Sequence, residues 1–236
     1  MVNLSLQDRE WRPFFIEDIA EIVSGKDIYE REREEGTKPY ITATANNNGI
    51  GYFVGNMNDT FEAGCLSVNR NGSVGYCFYH PYSALYGNDT RKLRPKVKNK
   101  YISLFISMCI TSQREKYGYG YKMGTGRLKR QRILLPVDNY GKPDWRFMEE
   151  YMKMKEKQIL KPTIDKLCKQ LINNELLGGV NYFTLIGKHS TLQRCSLKFS
   201  VVNVLKKQIT KSEILPMYHQ HHSTMGLMAS SAMIAA

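Results

Sequence analysis

The chain has 236 residues, 42% hydrophobic and 24% charged, with a formal net charge of +12. Such a composition supports one large or two small folded domains and excludes a disordered polypeptide. No run of about 18 apolar residues occurs, the opening MVNLSLQDREWRPFF is not built like a signal peptide, and five cysteines without a CxxC pair argue against a disulfide framework or a zinc site. A reduced cytoplasmic protein without a membrane segment is the expectation.

Along the chain, Phe15, Ile16, Ile19, Ile22 and Val23 form an amphipathic entry element closed by Gly25, too short for periodicity to separate helix from strand. The charged stretch 27–38 reads as a solvated loop. In KPYITATANNNGIGYFVGN, residues 38–56, two strand-like runs flank Asn46, Asn47, Asn48 and Gly49. One Asn-Gly pair suffices for a tight turn, because Gly49 takes positive φ freely and Asn tolerates it. The surplus amides fit either a polar surface loop or a loop whose paired donor and acceptor read adenine edges in a DNA groove. A second hairpin is expected where CLSV and VGYCFY flank Asn69, Arg70, Asn71 and Gly72, with Asn71-Gly72 as its tight turn.

YISLFISMCITSQ places Ile102, Phe105, Ile106, Cys109 and Ile110 at spacings of three and four, which predicts a helix with one buried stripe. In REKYGYGYKMGTGRLKRQ, glycines alternate with Tyr117, Tyr119 and Tyr121 amid bases, and RILLPV reads as a short strand stopped at Pro136. Asp144 then caps a helix with acids near its start and lysines later. Pro162 interrupts it, but Ile164, Leu167 and Leu171 carry the apolar stripe on to about Leu177. The expected organisation is therefore α+β: a binding domain of short strands and helices over 1–142, a long coiled-coil-type helix over 143–177, and a tail over 178–236. In the tail, Pro216 precedes Gly226-Leu227 by ten residues, as Pro39 precedes Gly49-Ile50. This fits the cut-off start of a second copy or chance. The histidines 219, 221 and 222 in that apolar tail are set aside as metal ligands.

From Arg91 to Arg132 there are 13 Lys and Arg residues and one acid, Glu115, giving 13 − 1 = +12. The rest of the chain balances at 34 − 13 = 21 bases against 22 − 1 = 21 acids. Solubility requires no such concentration, whereas a polyanion-facing surface does. Chemistry is harder to find. Asp144, Glu150 and Lys153 superficially resemble a metal-dependent nuclease motif, but helix capping explains the acids, and no phosphate-binding glycine loop or GxSxG nucleophile is present. No catalytic residue, metal ligand or cofactor is assigned. The binding candidates are Asn46, Asn47, Asn48, Asn69, Arg70, Asn71, Lys116, Tyr117, Tyr119, Tyr121, Lys122, Arg127, Lys129 and Arg130. Arginine and asparagine suit base edges, and lysines position on phosphate. A free-standing Mg²⁺-dependent endonuclease and a single-stranded RNA-binding module, with tyrosines stacked on bases, are the alternatives.

The order of these pieces resembles the target-recognition domain of the specificity (S) subunits of type I restriction-modification enzymes and their type IIB relatives. The matching residues are Trp11, Phe15-Ile16-Glu17-Asp18-Ile19, Gly25-Lys26, Pro39-Tyr40-Ile41-Thr42 and Asn47-Asn48-Gly49-Ile50. They continue through Leu66-Ser67-Val68 with Gly72, Tyr117-Gly118-Tyr119 with Arg127-Leu128, Ile133-Leu134-Leu135-Pro136 and Pro143-Asp144-Trp145-Arg146-Phe147-Met148-Glu149. The resemblance covers about residues 11–175. It implies a non-catalytic reader of double-stranded DNA whose long helix spaces two recognition domains and docks methyltransferase and endonuclease chains. Family members usually carry two such domains. This chain, with one complete set, is read as a half-size subunit that forms a homodimer through the helix or as a chain interrupted in its second repeat.

Overall fold

Short runs of branched and aromatic residues punctuated by Gly, Asn and Pro favour strands joined by turns, and residues 11–95 fold largely that way. The computed structural model describes residues 4–118 and 120–177, with 167–177 as helix backbone only. The elements are β1 (Trp11–Phe15), α1 (Ile16–Ile19), β2 (Ala20–Ser24), β3 (Lys38–Ile41), β4 (Ile50–Val54), β5 (Cys65–Asn69), β6 (Cys77–His80), β7 (Leu85–Tyr86), β8 (Thr90–Pro95), α2 (Lys100–Thr111), α3 (Thr125–Arg130), β9 (Arg132–Pro136) and α4 (Trp145–Leu177). The class is α+β. The second-repeat reading of 178–236 lies outside the described residues.

A four-stranded antiparallel sheet in the order β2-β8-β5-β6 forms the centre. Its two faces are covered differently, which is why all five residues of β5 are buried. On one face, Leu66, Val68, Cys77 and Leu93 pack against α2, α4 and the antiparallel β1-β9 pair. On the other, Cys65 meets Ala84 together with Ile41 and Tyr86 of a three-stranded sheet, β4-β3-β7, in which β3 and β7 run parallel; Ala84 itself precedes β7. Cys65, Cys77 and Cys109 are buried and form no disulfide among the described residues.

The hairpin over 38–54 forms as expected, and the 15–25 entry element splits into α1 and β2. Three expectations are corrected. The β5-β6 connection is a wider loop, with Gly72 and Gly75 both at positive φ, because its backbone folds onto the loop after β3 and onto Arg114. Helix α2 is buried from Ile102 through Ile110 rather than along one stripe, since the sheet, β9 and α4 surround it. Pro162 lies inside one continuous helix.

Helix α4 starts where Asp144 Oδ1 accepts from the Phe147 amide at 2.9 Å, as its capping role required. Phe147, Met148, Tyr151 and Met152 are buried in the core. Trp11 stacks on Phe105, Phe105 meets Tyr151 edge-on, and Tyr151 stacks on Phe147. Further along, Glu156 accepts from Lys100 Nζ and the Tyr101 hydroxyl, each at 2.7 Å. Numbering therefore rises along α4 as it falls along α2. From Lys161 to Lys166 every residue is exposed.

The layer between the two sheets holds charge as well as apolar surface. Ser67 Oγ lies 2.8 Å from His80 Nε2, and both residues are fully buried. Lys92 is fully buried too, and its ammonium donates to Glu62 at 2.7 Å and to the Thr60 carbonyl at 3.2 Å. Arg94 donates to the same carboxylate and to Glu21. Burial alone would raise the Glu62 pKa, but the hydrogen bonds from Lys92 and Arg94 outweigh it and hold the carboxyl below its ordinary value of 4.5. Removing the acceptor strands a buried ammonium, so Glu62→Ala is expected to destabilise the fold by about 3 kcal/mol at neutral pH. Because the folded pKa is depressed, the stabilisation is complete above the unfolded value and disappears as pH falls through the folded one. Thermal unfolding at pH 7 and pH 3 checks this: the gap between wild type and Glu62→Ala should narrow at the acid end.

Candidate nucleic-acid interface

Four loop segments that are distant in sequence meet at one end of the central sheet. The first, 42–49, closes with the Thr42 amide donating to the Gly49 carbonyl at 2.8 Å and the Gly49 amide to the Asn46 carbonyl at 2.9 Å. Asn47, Asn48 and Gly49 take φ of 48°, 56° and 82° in succession. Asparagine is among the few L residues that enter this left-handed region readily, so two of the three asparagines are required by the turn itself. Asn46 and Asn47 are exposed. Asn48 is buried and donates from Nδ2 to the Tyr79 carbonyl at 3.3 Å.

The second segment, 69–75, docks on the first. Asn69 is fully buried and donates to the Thr44 carbonyl at 3.0 Å, and the Ser73 amide donates to the Ala43 carbonyl at 3.1 Å. Gly72 sits at φ +56°, where a Cβ would stand 2.6 Å from that Ala43 oxygen. The expectation that Asn48 and Asn69 face a groove is corrected. The Asn69 amide holds the two loops together and the Asn48 amide ties the first loop to β6, and their Oδ1 atoms stay buried without a hydrogen-bond partner. Arg70 and Asn71 remain half-exposed beside them.

The third segment, 87–91, supplies Asp89, which pairs with Arg70 at 3.1 Å and accepts from Asn71 Nδ2 at 3.3 Å. Next to it the buried Arg91 donates from Nε to Thr125 Oγ1 at 2.7 Å, which ties the start of β8 to α3. Burial, reinforced by the Arg70 charge, lowers the Arg91 pKa.

The fourth segment runs from Gln113 to Arg130. The Arg114 guanidinium reaches back to the Tyr76 hydroxyl and lies 4.7 Å from the centre of that ring, so this segment closes on the second. Tyr117 is half-buried and donates to Gln131 Oε1 at 2.7 Å. Its pKa is raised, chiefly by burial. Tyr121 is 52% exposed, stacks on Tyr117 at 5.8 Å, and carries the Arg127 guanidinium on its ring at 3.7 Å. Tyr119 lies outside the described residues. Lys116 is exposed as a residue, yet partial burial of its ammonium beside Gln113 lowers its pKa. Lys122, Arg127, Lys129 and Arg130 are exposed, and neither Lys129 nor Arg130 forms an ion pair among the described residues.

The basic stretch does not act as a unit, which corrects the expectation of a single +12 face. Lys92 and Arg94 neutralise Glu62 and Glu21, and Lys100 pairs with Glu156 on α4. Helix α2, twelve residues or roughly 18 Å long, separates Lys96, Lys98 and Lys100 from Arg114 and the bases that follow. The candidate surface thus carries about half of the thirteen. Tyr76, Arg114 and Asp89 belong to it although local pattern did not single them out, since each is defined by a partner far away in the chain. The acids of the nuclease-like motif point elsewhere: Asp144 caps α4 and pairs with Arg9 at 2.9 Å, Glu150 pairs with Arg146, and Lys153 with Glu149.

Three comparisons bear on identity. The family model described as type I restriction modification DNA specificity domain matches residues 8–162. A curated relative, the type II restriction enzyme BgcI specificity subunit S.BcgI of Heyndrickxia coagulans, is 41% identical over 164 residues, 69% of this chain and 48% of its own. The chain therefore spans about half the length of the curated relative it matches. Among solved structures, the type I restriction-modification S subunit from M. genitalium has a TM-score of 0.49 at 19% identity, covering 87% of this chain and 46% of that one. The HsdS subunit from Thermoanaerobacter tengcongensis has a TM-score of 0.44 at 13% identity, covering 83% of this chain and 44% of that one. With the family model matched across the sheets, α2 and the start of α4, the chain belongs to the type I restriction-modification DNA specificity domain family.

Proposed function

We propose that this chain reads a specific double-stranded DNA sequence as the non-catalytic specificity subunit of a restriction-modification complex. Separate methyltransferase and endonuclease chains supply the chemistry, and no cofactor is assigned to this one. The carrying observation is the convergence of four loop segments into a surface that sets exposed amides among exposed cations, of which Lys129 and Arg130 form no ion pair among the described residues. Amides and arginine distinguish base edges, and the surrounding cations fix register on phosphate. The base-reading roles fall to Asn46, Asn47, Arg70 and Asn71. Lys116, Lys122, Arg127, Lys129 and Arg130 face the backbone, with Tyr121 and, by sequence, Tyr119 beside them.

In this reading residues 1–142 are the recognition domain and 143–177 the spacer, although the first turns of α4 are shared with the core. At 33 residues and about 1.5 Å each, α4 runs some 50 Å, which carries it beyond the domain. Pairing of two such helices in a homodimer would space two recognition domains on a split site. No helix among the described residues is long and apolar enough to cross a membrane, and a cytoplasmic setting accords with DNA as the target.

Duplexes with a randomised core, selected on the full-length chain, should enrich one sequence, and affinity for it should fall steeply with salt. Single-stranded RNA of equal length should not compete. Equal affinity for all duplexes would defeat the proposal. Replacing Lys129 and Arg130 together with Ala should weaken binding to every sequence alike and reduce the log-log salt slope by about 2. Sedimentation should detect a dimer whose population rises with concentration; a strictly monomeric chain at tens of micromolar would remove the helix-pairing part.

A further inference from the structure

A carboxylate stands in the middle of the surface proposed to meet a polyanion. Asp89 is 52% exposed at its side chain, where a negative charge weakens attraction to phosphate. Its geometry is nonetheless specific. Its carbonyl accepts the main-chain amides of Arg70 at 2.9 Å and Asn71 at 3.3 Å. Its Oδ1 accepts Arg70 Nη2 at 3.1 Å and Asn71 Nδ2 at 3.3 Å. One residue thus fixes backbone and side chain of two neighbouring candidate readers.

Asp89 is itself rigidly mounted. The Asn88 amide donates to Asp27 Oδ1 at 2.8 Å, and Thr90 donates from both its amide and its hydroxyl to the Gly87 carbonyl. The buried Arg91 guanidinium donates to the Asn88 and Thr90 carbonyls, bracing the loop from behind. Arg70 Nε is buried with no hydrogen-bond partner, and its side chain is only 31% exposed. The guanidinium is therefore held by one edge rather than waving in solvent.

We propose that Asp89 is a specificity-determining positioning residue that holds Arg70 and Asn71 as base readers and prevents Arg70 from acting as a general phosphate-binding cation. This rests on the DNA-reading function proposed above. A neighbouring carboxylate cancels much of the long-range pull between guanidinium and phosphate, which is blind to sequence. It leaves the short-range, directional N–H groups that match guanine O6 and N7. For Asn71, the bond to Asp89 settles which end of the amide is donor. Nonspecific affinity is given up for discrimination, as specificity in general requires.

The test compares wild type, Asp89→Ala, Asp89→Asn and Arg70→Ala as full-length chains. Affinity is measured for the duplex enriched from the randomised pool and for the unselected pool at one salt concentration. Asp89→Ala is expected to lose about tenfold in preference while its affinity for the unselected pool holds or rises. Arg70→Ala should lose the preference as well, and a chain carrying Asp89→Ala and Arg70→Ala together should lose no more than either single variant. Asp89→Asn keeps a carbonyl acceptor in place and should recover part of the preference, which also guards against a folding defect in the alanine variant. An Asp89→Ala protein with unchanged preference, or with equal losses on both DNA samples, would overturn the inference and leave the DNA-reading function standing. A wild-type chain that enriches nothing would overturn the function and this inference together.

Discussion

Helix α2 is enclosed on every side, and the positions of both ends of the domain follow from that enclosure. Its apolar residues meet the central sheet and the β1-β9 pair, and Phe105 links Trp11 to Tyr151 through contacting rings. A helix buried all round cannot slide or rotate without opening packed surface, and aromatic contacts of this kind add to the area they bury. Its N-terminus is capped by Asn99, which accepts from the Tyr101 and Ile102 amides. The next turn holds α4 through Lys100 and Tyr101. Hydrogen bonding to Glu156, reinforced by burial, pushes the Tyr101 hydroxyl pKa up to about 12, so it stays a donor across the physiological range. The C-terminus delivers Gln113 and Arg114 to the four-loop surface. One rigid element therefore sets the distance between the helix root and the candidate interface.

The asparagine-rich loops show how an exposed candidate surface is mounted on residues that lie beneath it. Asn48 and Asn69 look the same as their neighbours in sequence, yet they lie inside, and each donates to a carbonyl of another segment. Two consecutive positive φ values before a glycine would be strained for almost any other side chain. The exposed pairs, Asn46 with Asn47 and Arg70 with Asn71, are what these buried amides hold in place.

What was legible in the sequence is what local pattern controls. The 38–54 hairpin, the existence of α2, the Asp144 cap and the 132–136 strand all rest on signals within a few residues. Strand β1 was not legible because its partner β9 lies more than a hundred residues away. Strand β8 reads as a run of bases, since nothing nearby reveals that Glu62 lets Lys92 be buried. The all-round burial of α2 was hidden by Ser103 and Ser107, which count as polar in a periodicity. Ser107 satisfies its hydroxyl on the Leu104 carbonyl and so tolerates the interior. The candidate surface was half legible for the same reason: charge and amide content are local, and the contacts that assemble them are not.

Acidic residues cluster away from the four-loop end. Residues 30–35 hold Glu30, Glu32, Glu34 and Glu35 against Arg31 and Arg33, a local balance of 2 − 4 = −2. They are pinned to the far end of β4, where the Gly55 amide donates to the Glu34 carbonyl at 2.8 Å and Asn56 bridges Glu32 and Glu34. That end lies one strand length, about 13 Å, from the 42–49 loop at the opposite ends of β3 and β4. Helix α4, running counter to α2, also leaves on the side away from Arg114. Arg114, Lys122, Arg127, Lys129 and Arg130 lie exposed at the four-loop end, where they attract a polyanion. The turns of α4 beyond the core, exposed from Lys161 to Lys166, point away from that end.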